Sequence, residues 1–328
     1  MSGGGECPII GVSDAIRRAV GLASRFAATD LPILLVGPTG SGKELFARQI
    51  HVWSGGPGEF VDVNAGALPR DMVESLLFGH RRGAFTGATS ETRGLIPAAK
   101  DGTLFLDELA SLPHDGQAKL LRAIESGEVR RLGDTVSLKV RCRFVAAVQE
   151  DIDGRVRRGE FRLDLYQRLA GVVIRLPALA ERREDLLPLA RSFAAGLGCA
   201  LLPEAEAVLK KYAWPGNVRE LKIAMQRARF LADSTPIDGG VMREAIELGR
   251  AGGAPWAVVG GGEEEAQALV EVCREHGWHV GRTARALGVG HATLYRKLRR
   301  AGVDISMWRE PGALAAPTDR RERIAVSS

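Results

Sequence analysis

Cysteine is scarce in this chain, and none sits at metal-ligand spacing. Cys7, Cys142, Cys199 and Cys273 stand alone, with no CxxC pair. That argues against structural zinc and for a reducing compartment. Long apolar runs are also missing. No stretch approaches the roughly 20 residues that cross a bilayer. Met1 to Cys7 has neither a basic region nor an apolar one, so it does not read as a secretory signal. These absences predict a cytoplasmic protein with no membrane partner. There is no internal repeat either.

What is present suits a multi-domain protein. The chain has 328 residues, of which 45% are hydrophobic, enough for a sizeable core and about two or three domains. The net charge of +5 is only mildly basic, so clustering of charge says more than the total. Val12 to Phe26 reads as an amphipathic helix with Ser13 as its N-cap. Leu31 to Val36 is a short apolar run of the kind buried in a parallel sheet. Similar runs recur at Phe60 to Asn64, Gly102 to Asp107, Phe144 to Val148 and Val172 to Leu176, with helical patterns such as Leu112 to Ser126 between them. Strands alternating with helices predict an α/β parallel sheet covered on both faces. After Pro177 the strand patterns stop. Glu184 to Leu197, Pro203 to Tyr212, Val218 to Leu231 and Gly239 to Leu248 read as helices of a smaller second domain.

The first strand runs into Gly37, Pro38, Thr39, Gly40, Ser41, Gly42 and Lys43, a GxxxxGK pattern followed by a helical stretch from Glu44 to Trp53. Strand, glycine loop and helix are the context of a phosphate loop. Glycines let backbone N–H groups turn toward phosphates, and the helix adds its positive end. Lys43 would reach the β- and γ-phosphates. Glu44 stands where most such loops carry a magnesium-binding hydroxyl. The strand ending Asp107-Glu108 is the expected partner. Asp107 would hold magnesium, and Glu108 would polarise an attacking water. Without the phosphate loop, the same residues would read as a strand followed by a helix-capping acid. Asn64, at the end of the second strand, either restrains Glu108 or is simply a turn asparagine.

Between these two motifs lies Gly83-Ala84-Phe85-Thr86-Gly87-Ala88, preceded by Arg81 and Arg82. So many small residues predict a loop that can change shape. Composition alone allows Phe85 to fold back into the core. Position favours a loop moved by nucleotide chemistry, with Phe85 touching another molecule.

Taken together, these residues resemble the sigma-54-dependent transcription activators, the bacterial enhancer-binding proteins with an AAA+ ATPase motor. The likeness runs from about Ile9 to Val303. GAFTGA is that family's signature, and Glu74 to His80 is similar to the segment before it. Glu after the phosphate-loop lysine is also a family feature. The resemblance implies ATP and magnesium as cofactors, a homo- or hetero-oligomeric ring, by analogy a hexamer, and Gly83 to Ala88 as the contact with sigma-54 RNA polymerase holoenzyme. It implies that Gln117 to Arg131 belongs to a second pore-side loop. Phe161 to Leu169 is similar to the segment that supplies arginine fingers, here Arg162 and Arg168, which by themselves read only as helix arginines. Trp214 to Leu221 is similar to a sensor motif with Arg219 toward nucleotide; alone it reads as a turn and a helix start. The sequence departs from the family at Val148 and Gln149, where Thr-Asn is usual, and at Ala180, where Arg is usual.

The implied organisation is a short extension at 1–8, an AAA+ core at 9–180 and a helical lid at 181–249. A linker at 250–262, a helix-turn-helix at 263–303 and a disordered tail at 304–328 would follow. Only a short stretch precedes the motor, so control is expected from expression level or from a regulatory protein in trans.

Gly281 to Val303 has no acidic residue but holds Arg282, Arg285, Arg296, Lys297, Arg299 and Arg300. Such segregation is a footprint for double-stranded DNA. Helix, glycine turn and helix fit Thr283 to Arg296, and the segment resembles the Fis-type helix-turn-helix that ends these activators. His291, Thr293 and Arg296 would read bases, while Arg299 and Arg300 would hold phosphates. A basic helical hairpin packed on the motor is the plainer reading. The expected activity is ATP hydrolysis that remodels a polymerase complex from an upstream, enhancer-like DNA site. The alternative is a DNA-binding regulator that uses ATP as an oligomerisation switch.

Overall fold

A computed structural model of the chain describes residues 9–149, 151–233, 236–249 and 274. The expected N-terminal extension, linker and tail, and the helix-turn-helix apart from Arg274, lie outside these residues. So do Arg282, His291, Thr293, Arg296, Lys297, Arg299 and Arg300.

Helix α1 (Asp14–Ala27) starts where expected, because the Ser13 hydroxyl accepts the Ile16 N–H. Its buried residues Ile16, Ala19, Ala23 and Ala27 recur every three or four positions, so one stripe faces the core. β1 (Ile33–Val36) is buried along its whole length. α2 (Lys43–Ser54), β2 (Phe60–Asn64), α3 (Val73–Phe78), α4 (Leu95–Ala98) and β3 (Thr103–Asp107) follow. Then come α5 (His114–Ser126), β4 (Glu128–Arg130), β5 (Ser137–Lys139) and β6 (Arg143–Val148), and finally α6 (Ile152–Arg157), α7 (Leu163–Leu169) and β7 (Val172–Arg175).

Five strands form one parallel sheet in the order β2-β3-β6-β1-β7. Side chains alternate along each strand, and the sheet therefore feeds two cores. Leu34, Val36, Leu104, Leu106, Ala146 and Val148 pack with Leu77, Leu120 and Leu165. Ile33, Leu35, Phe105, Val145 and Ala147 pack with Ile16, Phe46 and Ile50 from α1 and α2. Burying a side chain as large as Phe105 contributes about 3 kcal/mol. β1 lies between β6 and β7, and its chain then crosses to the far edge at β2. Ligands of open α/β sheets bind beyond the strand C-terminal ends at such a switch point.

Helices α8 (Leu186–Gly196), α9 (Pro203–Lys211) and α10 (Asn217–Leu231) complete the first compact unit, which ends at Gly239. A second unit starts at Gly240 and takes in most of α11 (Gly239–Glu247). Two differences from the sequence expectations have physical causes. The first lid helix starts at Leu186 because tight turns at 179–181 and 183–185 occupy the preceding stretch. The antiparallel β4–β5 hairpin was not foreseen, because its strands are three residues each and largely solvent-facing, so they lack an apolar alternation.

Candidate nucleotide site and display loop

The phosphate loop joins β1 to α2 at the strand C-terminal ends. Gly40 and Gly42 have φ of +77° and +108°, a region open to glycine at little cost. The Gly37 N–H donates to the Val148 carbonyl at 3.2 Å. Lys43 Nζ donates to the Gly37 and Pro38 carbonyls at 2.8 and 3.0 Å, so the ammonium sits over the first half of the loop. Glu44 in the first turn of α2 is exposed and pairs with Arg48 at 2.9 Å.

Two strands away, Asp107 and Asn64 are register partners at the ends of β3 and β2. The Asp107 carboxylate accepts the Glu108 N–H at 2.8 Å. Glu108 has φ of 50° and ψ of 37°, a left-handed conformation that costs a non-glycine residue about 1–3 kcal/mol and gathers at functional sites. Asn64 Oδ1 accepts the Gly66 and Ala67 N–H groups at 2.8 and 3.2 Å, so it acts as a turn asparagine. The Glu108 carboxylate lies against that same turn: a Cβ added at Gly66 would sit 2.2 Å from Glu108 Oε2. Asn64 therefore shapes the surface that Glu108 faces.

Asp62 was not anticipated. Partial burial and the Glu44 and Asp107 carboxylates raise its pKa, and Arg48 opposes the rise. Glu44, Asp62 and Asp107 thus share one negative field. That donor chemistry suits a hard cation carried in by phosphates, since magnesium commonly takes one or two protein carboxylates. Among the described residues, no group of three side chains forms a complete metal site by itself.

The lid reaches the phosphate loop directly. Asn217 Nδ2 donates to the Thr39 carbonyl at 2.9 Å, and Asn217 Oδ1 accepts the Leu179 N–H at 2.7 Å. The Val218 and Arg219 N–H groups donate to the Gly40 carbonyl at 3.0 and 3.3 Å. Arg219 is exposed beside that loop. Arg182 Nη2 donates to the Ser41 carbonyl at 2.8 Å, and Arg182 is only 4% exposed. Nothing in the Arg182 sequence context marked it for burial. Val148 is buried among apolar residues, and its carbonyl accepts the loop's Gly37 N–H. Ala180 is exposed.

Arg162 caps α7 and grips its own Asp164 through two bonds of 3.0 and 2.7 Å. Both side chains reach solvent, a kind of pair worth no more than about 1 kcal/mol. Arg168 is exposed in the last turn of α7.

The GAFTGA loop projects from a fixed stem. His80 and Thr92 exchange backbone bonds at 3.0 and 2.9 Å. The Arg81 N–H donates to the Leu132 carbonyl, and the Leu132 N–H to the Gly79 carbonyl, at 3.0 and 2.9 Å. Leu132 lies between β4 and β5, so the second loop holds the first. Gly133 sits against Ala84: an added Cβ would lie 2.9 Å from the alanine Cβ. Arg131 pairs with Asp134 at 2.9 Å and with Glu91 at 3.6 Å. Within the loop, the Gly83 N–H donates to the Ala88 carbonyl at 2.9 Å. Gly83, Thr86 and Gly87 are exposed. Phe85 is 45% exposed, with its other face on the His80 ring, centroids 5.1 Å apart. The ring therefore neither enters the core nor stands free.

A parallel sheet with its phosphate loop after β1, an acidic strand end two strands away and a helical lid on the loop define an AAA+ ATPase-type module. Known proteins narrow this further. The family described as Sigma-54 interaction domain matches residues 9–175, the AAA+ ATPase lid domain 180–254, and the Fis-family bacterial regulatory protein domain 262–300. The chain belongs to the sigma-54-dependent transcriptional regulators. It is 40% identical to nitric oxide reductase transcription regulator NorR2 of Cupriavidus necator over 91% of this chain and 63% of that protein. It is 37% identical to response regulator PilR of Pseudomonas aeruginosa over 90% of this chain and 70% of PilR. The crystal structure of NtrX from Brucella abortus with ADP superposes with a TM-score of 0.67 at 29% identity, covering 91% of this chain and 70% of NtrX. Thermotoga maritima RuvB shares the fold, with a TM-score of 0.53 at 17% identity. The chain thus spans a little under two thirds of NorR2. No described helix is long and apolar enough to cross a membrane.

Proposed function

We propose that the protein is an ATP-driven activator that binds double-stranded DNA upstream of a promoter and remodels sigma-54 RNA polymerase through Gly83 to Ala88. ATP sits on Gly37 to Glu44, with Lys43 toward its outer phosphates and Arg219 approaching from the lid. Magnesium held by Asp107 would offset phosphate charge. Glu108 orients and polarises the attacking water. Arg162 and Arg168 complete the site of a neighbouring copy in a ring, by analogy a hexamer, with Arg162 releasing Asp164 as it does so. Phe85 and Thr86 engage the sigma factor when the loop leaves His80. The 263–303 segment supplies the DNA contact.

The observation that carries this reading is an intact GAFTGA loop with an exposed tip, on a stem between the phosphate loop and the Asp107–Glu108 strand. The test is a native-gel shift with sigma-54, with and without ADP plus aluminium fluoride, a mimic of the hydrolysis transition state. A complex should form only with the mimic. Thr86→Ala should lose that complex and promoter activation while retaining ATP hydrolysis; loss of hydrolysis as well would count against a contact role.

A second reading rests on Val148, whose buried apolar side chain offers the site no hydrogen bond. In it, ATP binding switches oligomeric state without turnover. Steady-state phosphate release would exclude it.

A further inference from the structure

The phosphate-loop carbonyls from Gly37 to Ser41 all have hydrogen-bond donors, Lys43 at the loop's own end and the lid beyond it. Lys43 takes those of Gly37 and Pro38. The next three belong to the lid side: Thr39 to Asn217, Gly40 to the first N–H groups of α10, and Ser41 to Arg182. The peptide bonds are trans, so each C=O points opposite to the following N–H. A carbonyl drawn toward the lid turns the next N–H toward the loop interior. Pulling on Thr39 and Ser41 aims the N–H groups of Gly40 and Gly42 inward, where an anion would sit.

We propose that the lid builds the anion cradle: Asn217 and Arg182 are positioning residues that set the phosphate loop for nucleotide without touching the nucleotide themselves. This rests on the nucleotide reading above, and it makes lid position a determinant of phosphate affinity.

The contact is tightly packed. The lid turn approaches so closely that a Cβ at Gly40 would lie 2.3 Å from the Gly216 carbonyl. Asn217 is 3% exposed and has a φ of 55°, a left-handed value that asparagine tolerates better than most residues with a side chain. Its amide serves both sides at once, accepting from Leu179 and donating to Thr39. Asp185 is fully buried, holds the N–H groups of Val12 and Ser13 and the Ser13 hydroxyl, and supplies a charge opposite to that of Arg182. Two of the three buried side-chain polar atoms without a partner among the described residues, Ser41 Oγ and Arg182 Nε, belong to this contact. Leaving such atoms unpaired is costly, which fits residues held for position.

The test is a fluorescence titration of the full chain with N-methylanthraniloyl-ADP, run beside thermal unfolding. Arg182→Gln and Asn217→Gly, the latter compatible with the positive φ, should each raise Kd about tenfold, as loss of one charge-assisted or buried hydrogen bond does. Arg182→Lys, which keeps a donor, should bring Kd back to within about threefold of wild type. Folded Gln and Gly variants that bind like wild type would overturn the proposal, whatever their unfolding midpoints. If either fails to fold, Glu220→Gln decides. Glu220 fastens the Gly216 N–H and the Tyr212 hydroxyl from outside the loop, and its loss should weaken binding about threefold; an unchanged Kd would sink the idea. A wild-type chain that binds no ADP would remove the nucleotide reading itself, a separate outcome.

Discussion

Two glycine-rich loops stand on this sheet, and they have met opposite fates. The phosphate loop has its carbonyls taken one after another by Lys43 and the lid. The GAFTGA loop is tied at its stem by His80, Thr92 and Leu132, while its tip is exposed. Composition is similar, so glycine content alone does not decide how firmly a loop is held. What decides it is how many backbone groups have partners outside the loop. On the proposed reading, the first loop is preset for a small anion. The second is tied at its stem, with Ala84 against Gly133 and Phe85 on the His80 ring, and leaves Thr86 and Gly87 exposed, as the proposed contact with another protein requires.

This contrast can be broken most severely at Gly40. Gly40→Ala would place a methyl group against the Gly216 carbonyl at a φ of +77°. It should cost roughly 3 kcal/mol and abolish detectable binding of the fluorescent nucleotide. Calorimetry and the titration above would check both. A Gly40→Ala chain with wild-type affinity would mean that the lid turn yields easily. Gly87→Ala is the matched change in the other loop, with a φ of +96° but no atom within 4 Å. It should cost about 1–2 kcal/mol and leave nucleotide affinity unchanged, as the same two measurements would show. The smallest effect falls on Cys142, where burial pushes the thiol pKa up to about 12. Its thiolate is scarce near pH 8, so iodoacetamide should label it only after unfolding. Mass spectrometry should find labelling about five- to thirtyfold faster in Gly87→Ala than in wild type, and faster still in Gly40→Ala.

Much of this was legible in the sequence, because some residues state their purpose by type and spacing. β1, the GxxxxGK loop and the Asp107 strand announce themselves through apolar runs ending in glycine or acid. GAFTGA needed no structure to be noticed. Arg182 was different: an arginine near a helix start reads as solvated charge, and only tertiary packing buries it against Ser41. Asp62 was also silent, because its company of Glu44 and Asp107 is assembled across α2 and two strands. The β4–β5 hairpin escaped because its strands are three residues each and mostly face solvent, which leaves no apolar periodicity in the chain.

That hairpin bears on kinematics. With His80 paired to Thr92 and both neighbours of His80 bonded to Leu132, residues 81–91 form a cycle whose ends are already joined. The entropy of bringing the ends together is a property of the stem and grows only slowly with length. The tip can therefore change shape, or gain and lose residues, at little expense to the folded sheet. A lever with its fulcrum set by a second loop can also be tilted by that loop, so displacing Leu132 should swing Phe85 even with the phosphate loop at rest.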